Sequence, residues 1–285
     1  MSGILNSINT NVGAMVALDS LNQTDMQLNA AQNEISTGYR VSSATDDGAA
    51  YAVAQSVRSD VSALTAANQQ LGGVQGLLST TTTGLNDISN LMGSMRDVLV
   101  ALSNGNTTGE QRTQYAQQYN SYLANLKGYI EDAAYNGTSL IDDMGGSTIS
   151  NVSVITNEVG ATYSIATFSG SALYAALQFT TTQLDGATTV AALITNTGAF
   201  ITQFNSVNTE LNTYGAATNY VTNQISYNSD KIDALNTGLG ALIDADLAQE
   251  SALLESLQTR QQLATQALTL ADQAPSTLLS LVKNA

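Results

Sequence analysis

Apolar residues recur every seven positions at both ends of the chain. Ala14, Leu21, Leu28 and Ile35 form one series near the N-terminus, widened into a stripe by Ile4, Leu5, Ile8, Val12 and Leu18. Near the other end Leu247, Leu254 and Leu268 form a second series, accompanied by Leu257, Ala264, Ala271 and Leu278. A seven-residue repeat with two apolar positions marks a helix that lays its stripe along another helix. Each end is therefore expected to be an amphipathic helix of about 35 residues, ~50 Å long at 1.5 Å per residue. Helical stability in water comes mainly from burying such a stripe, and a lone helix has nothing to bury it against. The ends are expected to need each other or neighbouring molecules.

Between the ends the spacing stays helical for long stretches. Val53, Val57, Val61, Leu64, Leu71, Val74, Leu78, Leu85, Ile88, Met92, Met95 and Leu99 keep spacings of three, four or seven, which predicts one long helix weakened locally by Gly72, Gly73 and Gly76. Gly105-Asn106-Thr107-Thr108-Gly109 breaks it, and Thr108 with Gln111 can form a capping box for the next helix. That helix carries Tyr115, Tyr119, Tyr122, Leu126 and Ile130 on one face, until Asn136-Gly137 turns the chain. From about Ile149 the period changes to alternation: Val152 and Val154, then Tyr163, Ile165 and Thr167, flank Glu158-Val159-Gly160 as a hairpin. Val190 through Leu242 then return to helical spacing, compatible with one helix of about 50 residues against a mean of about 11–12. The fold class expected is mainly α: a long antiparallel helical rod or bundle with terminal coiled-coil helices and a small β-hairpin region.

Composition narrows the chemistry. The 285 residues include 8 Lys+Arg, 23 Asp+Glu, one Pro, and no Cys, His or Trp, for a formal net charge of −15. Without His or Cys there is no Ser-His-Asp triad, no thiol nucleophile and no imidazole or thiolate metal ligand. Eight scattered cations cannot build the positive stripe that neutralises a phosphate backbone, so nucleic acid is a poor partner. The first ten residues lack the basic start and apolar run of a secretory signal, and no apolar stretch approaches the ~20 residues of a membrane span. The expectation is a chain without membrane insertion that leaves the cell, if it does, without a cleaved signal.

Other candidate chemistry reads better as structure. Asp244, Asp246 and Glu250 lack the loop length and central glycine of a calcium hand, whereas Asp246 with Gln249 three residues on suits a helix start. Asp46 and Asp47 are expected to initiate a helix in the same way, there being no catalytic partner beside them. Gly72-Gly73-Val74-Gln75-Gly76 is followed by no Lys-Ser/Thr, so close helix packing or local softness is expected in place of a phosphate cradle. The Tyr115, Tyr119, Tyr122 stripe has no interleaved cations and reads as core or subunit interface. No metal, cofactor or catalytic residue is expected.

Both ends carry longer motifs. The first comprises Ile8-Asn9-Thr10-Asn11 and Ser36-Thr37-Gly38-Tyr39-Arg40-Val41-Ser42-Ser43-Ala44-Thr45-Asp46-Asp47-Gly48-Ala49. The second comprises Ile243-Asp244-Ala245-Asp246-Leu247-Ala248-Gln249-Glu250, then Gln261-Gln262, Ala267-Leu268, Leu270-Ala271 and Pro275 through Leu281; Asn136 through Ile141 adds a weaker third. In these residues the chain resembles bacterial flagellin, in its short form, over roughly residues 1–145 and 188–285. The resemblance implies a structural protein, not an enzyme, that self-polymerises into an extracellular flagellar filament for swimming. Its termini would fold on assembly into an inner tube. By the same resemblance the partners are further copies of the chain, the flagellar export apparatus, an export chaperone, the filament cap and hook-junction proteins.

The segments that the resemblance implies are 1–44 and 246–285 as inner-tube coiled coil, 45–145 and 188–245 as halves of a helical rod domain, and 146–187 as its hairpin and variable part. Inner-tube contacts would fall on Leu5, Ile8, Leu21, Leu28, Ile35, Leu254, Leu257, Leu268, Ala271 and Leu278, and motif contacts on Asn9, Asn11, Arg40, Asp46, Asp47, Asp246 and Glu250. The alternative is a hook-filament junction or adaptor protein with the same terminal architecture and no unlimited growth. A zinc-protease insertion, which some flagellins carry, needs His-Glu-x-x-His, and the chain has no His.

Overall fold

The heptad stripe near the N-terminus forms α1 (Val12–Thr37), which starts where the Asn11 side chain accepts a hydrogen bond from the Ala14 N–H. It stops at Gly38, whose φ of 74° is left-handed backbone that a side chain disfavours. This computed structural model describes residues 10–141 and 151–283, the side chains of 274–283 excepted. Leu5, Ile8, Asn9 and the Leu278 side chain lie outside what is described.

The long interior helix is α2 (Gly48–Leu102), and α3 (Gly109–Asp132) follows it through a break at 103–108. Both halves of the expected capping box form: the Gln111 N–H donates to Thr108 Oγ1, and the Thr108 N–H donates to Gln111 Oε1 at 3.1 Å. Four successive threonines, Thr80 to Thr83, sit inside α2 although β-branched residues are poor helix formers. Each hydroxyl donates to the carbonyl four residues back, so none competes with the helix for an N–H. After α3, β1 (Ala134–Tyr135) and β2 (Thr138–Ser139) pair about Asn136-Gly137, both at positive φ, and the Tyr135 ring lies where a Gly76 side chain would stand. Gly76 is thus closely approached by a strand residue and not by another helix, and nothing lies within 4 Å of the Cβ positions of Gly72 and Gly73.

The expected hairpin is β3 (Val152–Ile155) paired antiparallel with β4 (Thr162–Ile165), Val154 opposite Tyr163. Its turn is tied by Asn157, whose Oδ1 accepts the Ala161 N–H at 2.8 Å. Beyond it the chain departs from the expected pattern. Three short helices that it lacked follow: α4 (Gly170–Leu177), α5 (Thr181–Asp185) and α6 (Ala187–Leu193). The expected 50-residue helix is interrupted, since α7 runs only Ala199–Ile243. Thr195-Asn196-Thr197-Gly198 prefers a turn to a helix, and the Gly198 N–H closes one on Thr195 O at 2.8 Å. The last helix is α8 (Leu247–Lys283).

The residues form two compact units: those up to Ser59 with those from Ala234 onward, and Asp60–Asp233. The second unit has the larger core, in which Leu71, Leu78, Leu85, Ile88, Met92, Met95 and Leu99 of α2 meet Tyr119 and Leu126 of α3 and Val207, Tyr214 and Val221 of α7. Tyr119 stacks on Phe179 with centroids 5.7 Å apart and donates its hydroxyl to Leu177 O at 2.9 Å. Tyr115 and Tyr122 are half-buried against the same core. Buried Asn228 holds the hairpin turn to α2 and α7, donating to Asn68 Oδ1 and Thr156 O at 2.9 Å each. It interrupts the apolar series Val221, Ile225, Ile232, which is the signal by which the sequence could have shown it.

At the same turn the Lys231 ammonium lies 2.5 Å from Glu158, and that hydrogen bond holds the carboxyl below its ordinary value of 4.5. Lys231 is raised from 10.5 by the same contact, with Tyr227 and Asp60 adding smaller pulls. Glu158 thus contributes stability above pH 4.5, and this is lost as pH falls through the lower folded value; the Lys231 part is lost only as pH rises past its raised value. A Glu158→Gln variant is expected to lose less stability than wild type between pH 7 and pH 3, read as the difference in urea midpoints. Equal losses would show that the pair is not linked to folding.

Candidate assembly surface

Four helix ends meet in the first unit, and the motif residues close them. The Gly38 N–H caps α1 on Glu34 O at 2.8 Å, and Gly38 O accepts from the Ala245 N–H at 3.0 Å. Tyr39 and Asp244 form an isolated antiparallel bridge. Arg40 closes the end of α7 twice, its N–H donating to Ile243 O and its Nη2 to Leu242 O, each at 2.7 Å. A cation at a helix C-terminus meets the negative end of the dipole, which is where guanidinium is favoured. Nothing in the sequence showed this partner, 202 positions away.

Asp47 begins α2 as expected, its Oδ1 accepting from the N–H groups of Ala49 and Ala50 at 3.0 Å. Asp46 does not. Its Oδ2 instead ties the loop before the helix, accepting from Ser43 N–H at 2.8 Å and from Ser42 N–H and Oγ at 3.0 Å. The Ser43 and Ser42 donors lower its pKa. Asp246 begins α8, accepting from Ala248 and Gln249 N–H at 3.0 and 3.2 Å. Burial raises Glu34, helped by the Glu250 and Asp46 carboxylates and opposed by Arg40. Under the joint Val41, Ala50, Ala54 and Ile243 form a small core. Asp246→Ala is expected to destabilise α8 by about 1 kcal/mol, the usual loss for an N-cap. A thermal melt followed at 222 nm measures it, and an unchanged midpoint would refute the cap.

Beyond the joint α1 and α8 pair antiparallel along their heptad positions. Asn11 Nδ2 donates to Ala271 O and Gln261 Nε2 to Asp25 Oδ1, both at 2.7 Å, and Leu28, Ala31 and Leu257 form the buried centre with Leu254 against them. Leu21, Ile35, Leu268 and Ala271 are only half-buried, as is Glu250 in the first turn of α8. The seam is thus lined but not closed. Both helices also expose a second set of large apolar side chains: Val12, Met15, Val16, Leu18 and Met26 on α1, Leu253, Leu263 and Leu270 on α8. Met26 is 65% and Leu270 69% exposed. Single exposed apolar residues are ordinary, but a row along a paired helix marks a surface for association.

Among the described residues no group of three or more Asp or Glu is placed to hold a metal ion. No described helix is long and apolar enough to cross a membrane. Open apolar rows on paired terminal helices, locked by a four-helix joint, define a self-associating structural subunit. Residues 8–145 match the family described as bacterial flagellin N-terminal helical region, and residues 194–282 the bacterial flagellin C-terminal helical region. The chain belongs to the bacterial flagellins: it is a structural subunit that polymerises into the flagellar filament outside the cell.

Curated relatives agree along nearly the whole length. Flagellin FljK of Caulobacter vibrioides is 33% identical over 98% of this chain and 99% of its own, and flagellin FljM of the same organism 31% over the same shares. A Brucella melitensis flagellin is 31% identical over 97% of this chain and 99% of its own. A solved flagellar hook-associated protein from Vibrio parahaemolyticus shares the fold, with a TM-score of 0.53 and 17% identity over 70% of this chain and all of that one. That likeness is one of fold, so the junction alternative is no better supported than the filament subunit.

Proposed function

We propose that the subunit grows its filament by completing the terminal coil against neighbouring copies, the two ends gaining full order only there. The observation that carries this reading is the α1–α8 seam, in which, among the described residues, only Leu28, Ala31 and Leu257 form a buried apolar cluster while the second rows stand in solvent. Ordering the backbone opposes folding by ~1–2 kcal/mol per residue, and so short a buried centre offsets little of it within one copy. Neighbours that cover the open rows supply the rest, which makes assembly coupled folding and binding. Residues 1–44 and 246–285 are then the inner-tube segments, and 45–245 the layer outside them. The contacts assigned to Leu21, Leu28, Ile35, Leu254, Leu257, Leu268 and Ala271 follow from the seam, and those of Leu5, Ile8 and Leu278 extend it.

Arg40, Asp46, Asp47 and Asp246 act in this reading by holding the joint rigid, so that the coil meets its neighbours at one angle. Export through the flagellar apparatus without a cleaved signal, an export chaperone, a cap at the growing end and hook-junction proteins at the base complete the proposal. A chain with no disulfide to break and one Pro is easily passed unfolded. The test is seeded polymerisation of purified protein, followed by negative-stain electron microscopy and circular dichroism. Long uniform filaments with a rise in helicity are expected; short monomeric material in the presence of seeds would return the junction reading. Mass spectrometry of shed filaments should find the residues from Ser2 onward intact, and a shortened N-terminus would refute export without cleavage.

A further inference from the structure

The outer faces of the two terminal helices are complementary in charge and in spacing. At 100° per residue Val12, Met15, Asp19 and Met26 share the face of α1 opposite its seam. Leu253, Arg260, Leu263, Ala267 and Leu270 share a face of α8 about a quarter turn from its own. Asp19 is the acid of the first face and Arg260 the base of the second. Both are exposed, and among the described residues neither belongs to an ion pair within the chain. Asp19 accepts only a hydrogen bond from the neighbouring Gln23 at 3.1 Å.

We infer that α8 of a second copy docks antiparallel on the outer face of α1, with Asp19 of one copy against Arg260 of the other. This rests on the polymerisation reading and assigns one of its contacts. The register follows from the numbering. With Asp19 against Arg260, Met26 falls seven residues one way and Leu253 seven the other, so the two meet; Val16 meets Leu263 and Val12 meets Ala267. A parallel alignment on the same charge pair would set Val12 against Leu253 and Met26 against Ala267, but Met15 against Ser256 and Leu263 against a polar Asn22. The antiparallel register puts both Leu253 and Leu263 opposite a large exposed apolar residue of α1, the parallel one only Leu253. The two faces differ, so the contact is heterologous: each copy offers both halves and the chain of contacts continues without closing on itself.

Charge exchange tests it, because each variant is defective for a different half. Asp19→Arg has two basic faces and Arg260→Asp two acidic ones. Each alone is expected to elongate wild-type seeds about tenfold more slowly or worse, through like charges brought together. The double variant restores opposite charges at every contact and should regain at least half the wild-type rate; an equimolar mixture restores them wherever the two variants alternate and should elongate faster than either alone. A single variant that elongates within twofold of wild type, or a mixture no faster than its components, overturns the contact.

A second measurement is independent of charge. The chain has no cysteine, so Met26→Cys and Leu253→Cys can be prepared separately, copolymerised and oxidised with copper phenanthroline. A disulfide-linked dimer of the two chains is expected; its absence from well-formed filaments overturns the register. Failure of wild type to elongate would overturn the polymerisation reading and this contact with it. Wild-type growth alongside unaffected variants removes the contact alone.

Discussion

Replacing Leu257 with Asp is expected to abolish filament growth while residues 60–233 stay folded. Leu257 is 1% exposed and, with Leu28 and Ala31, is the buried centre of the α1–α8 seam. Truncating a buried Leu costs ~2–5 kcal/mol, and a carboxylate in its place must be desolvated as well. Asp25, accepting from Gln261 one turn along, adds a like charge nearby. The other described apolar positions of the seam, Leu21, Ile35, Leu254 and Leu268, are only half-buried and compensate little. The second unit keeps its own core of α2, α3 and α7 side chains, none of them on α1 or α8. Seeded elongation measures the first part and circular dichroism melting the second. Growth at the wild-type rate would mean that the seam seen in one copy is not used in the filament.

Arg112→Ala is expected to lower the stability of the second unit by about 2–4 kcal/mol, read as a fall in urea midpoint. Arg112 is 9% exposed and its guanidinium is held by carbonyl oxygens: Nη1 donates to Leu102 O at 2.7 Å and Leu184 O at 3.2 Å, Nη2 to Asn104 O at 3.4 Å. It therefore closes the C-terminal end of α2, starts α3 from its first turn and reaches α5 at once. Hydrogen bonds to a charged donor contribute ~1.5–3 kcal/mol, and acceptors left buried without a donor cost a further ~1–3. The negative end of the α2 dipole supplies what a carboxylate would otherwise provide. Arg112→Lys keeps the charge but loses the planar fork, so it should recover less than half of the loss. A midpoint unchanged by Arg112→Ala would mean that water replaces the guanidinium at these carbonyls.

These effects divide along the line between local and long-range information. Heptad spacing at Ala14, Leu21, Leu28 and Ile35, the Thr108 and Gln111 box, the Asn136-Gly137 turn, the alternation around Glu158 and the caps at Asp47 and Asp246 depend on residues within a few positions of one another. Their physics is complete in the sequence, and the structure contains each of them. The terminal motifs likewise carry the resemblance to the family within contiguous residues. Asp46 marks the limit of that reasoning, because two serines just before it compete for the carboxylate that a helix start would have used.

What the chain order alone left open is which surfaces become covered. Leu21, Leu28 and Ile35 are equivalent in the heptad, yet only Leu28 is fully buried, and of three tyrosines on one face only Tyr119 is enclosed. Arg40 as the cap of α7, the reach of Arg112 to Leu184 and Asn228 under the hairpin turn depend on partners 72 to 202 positions away. Periodicity states that a face is apolar but carries no term for what arrives against it. Burial is set by the approach of remote elements, and the rows on α1 and α8 that nothing in one copy approaches became visible only once the helices were placed.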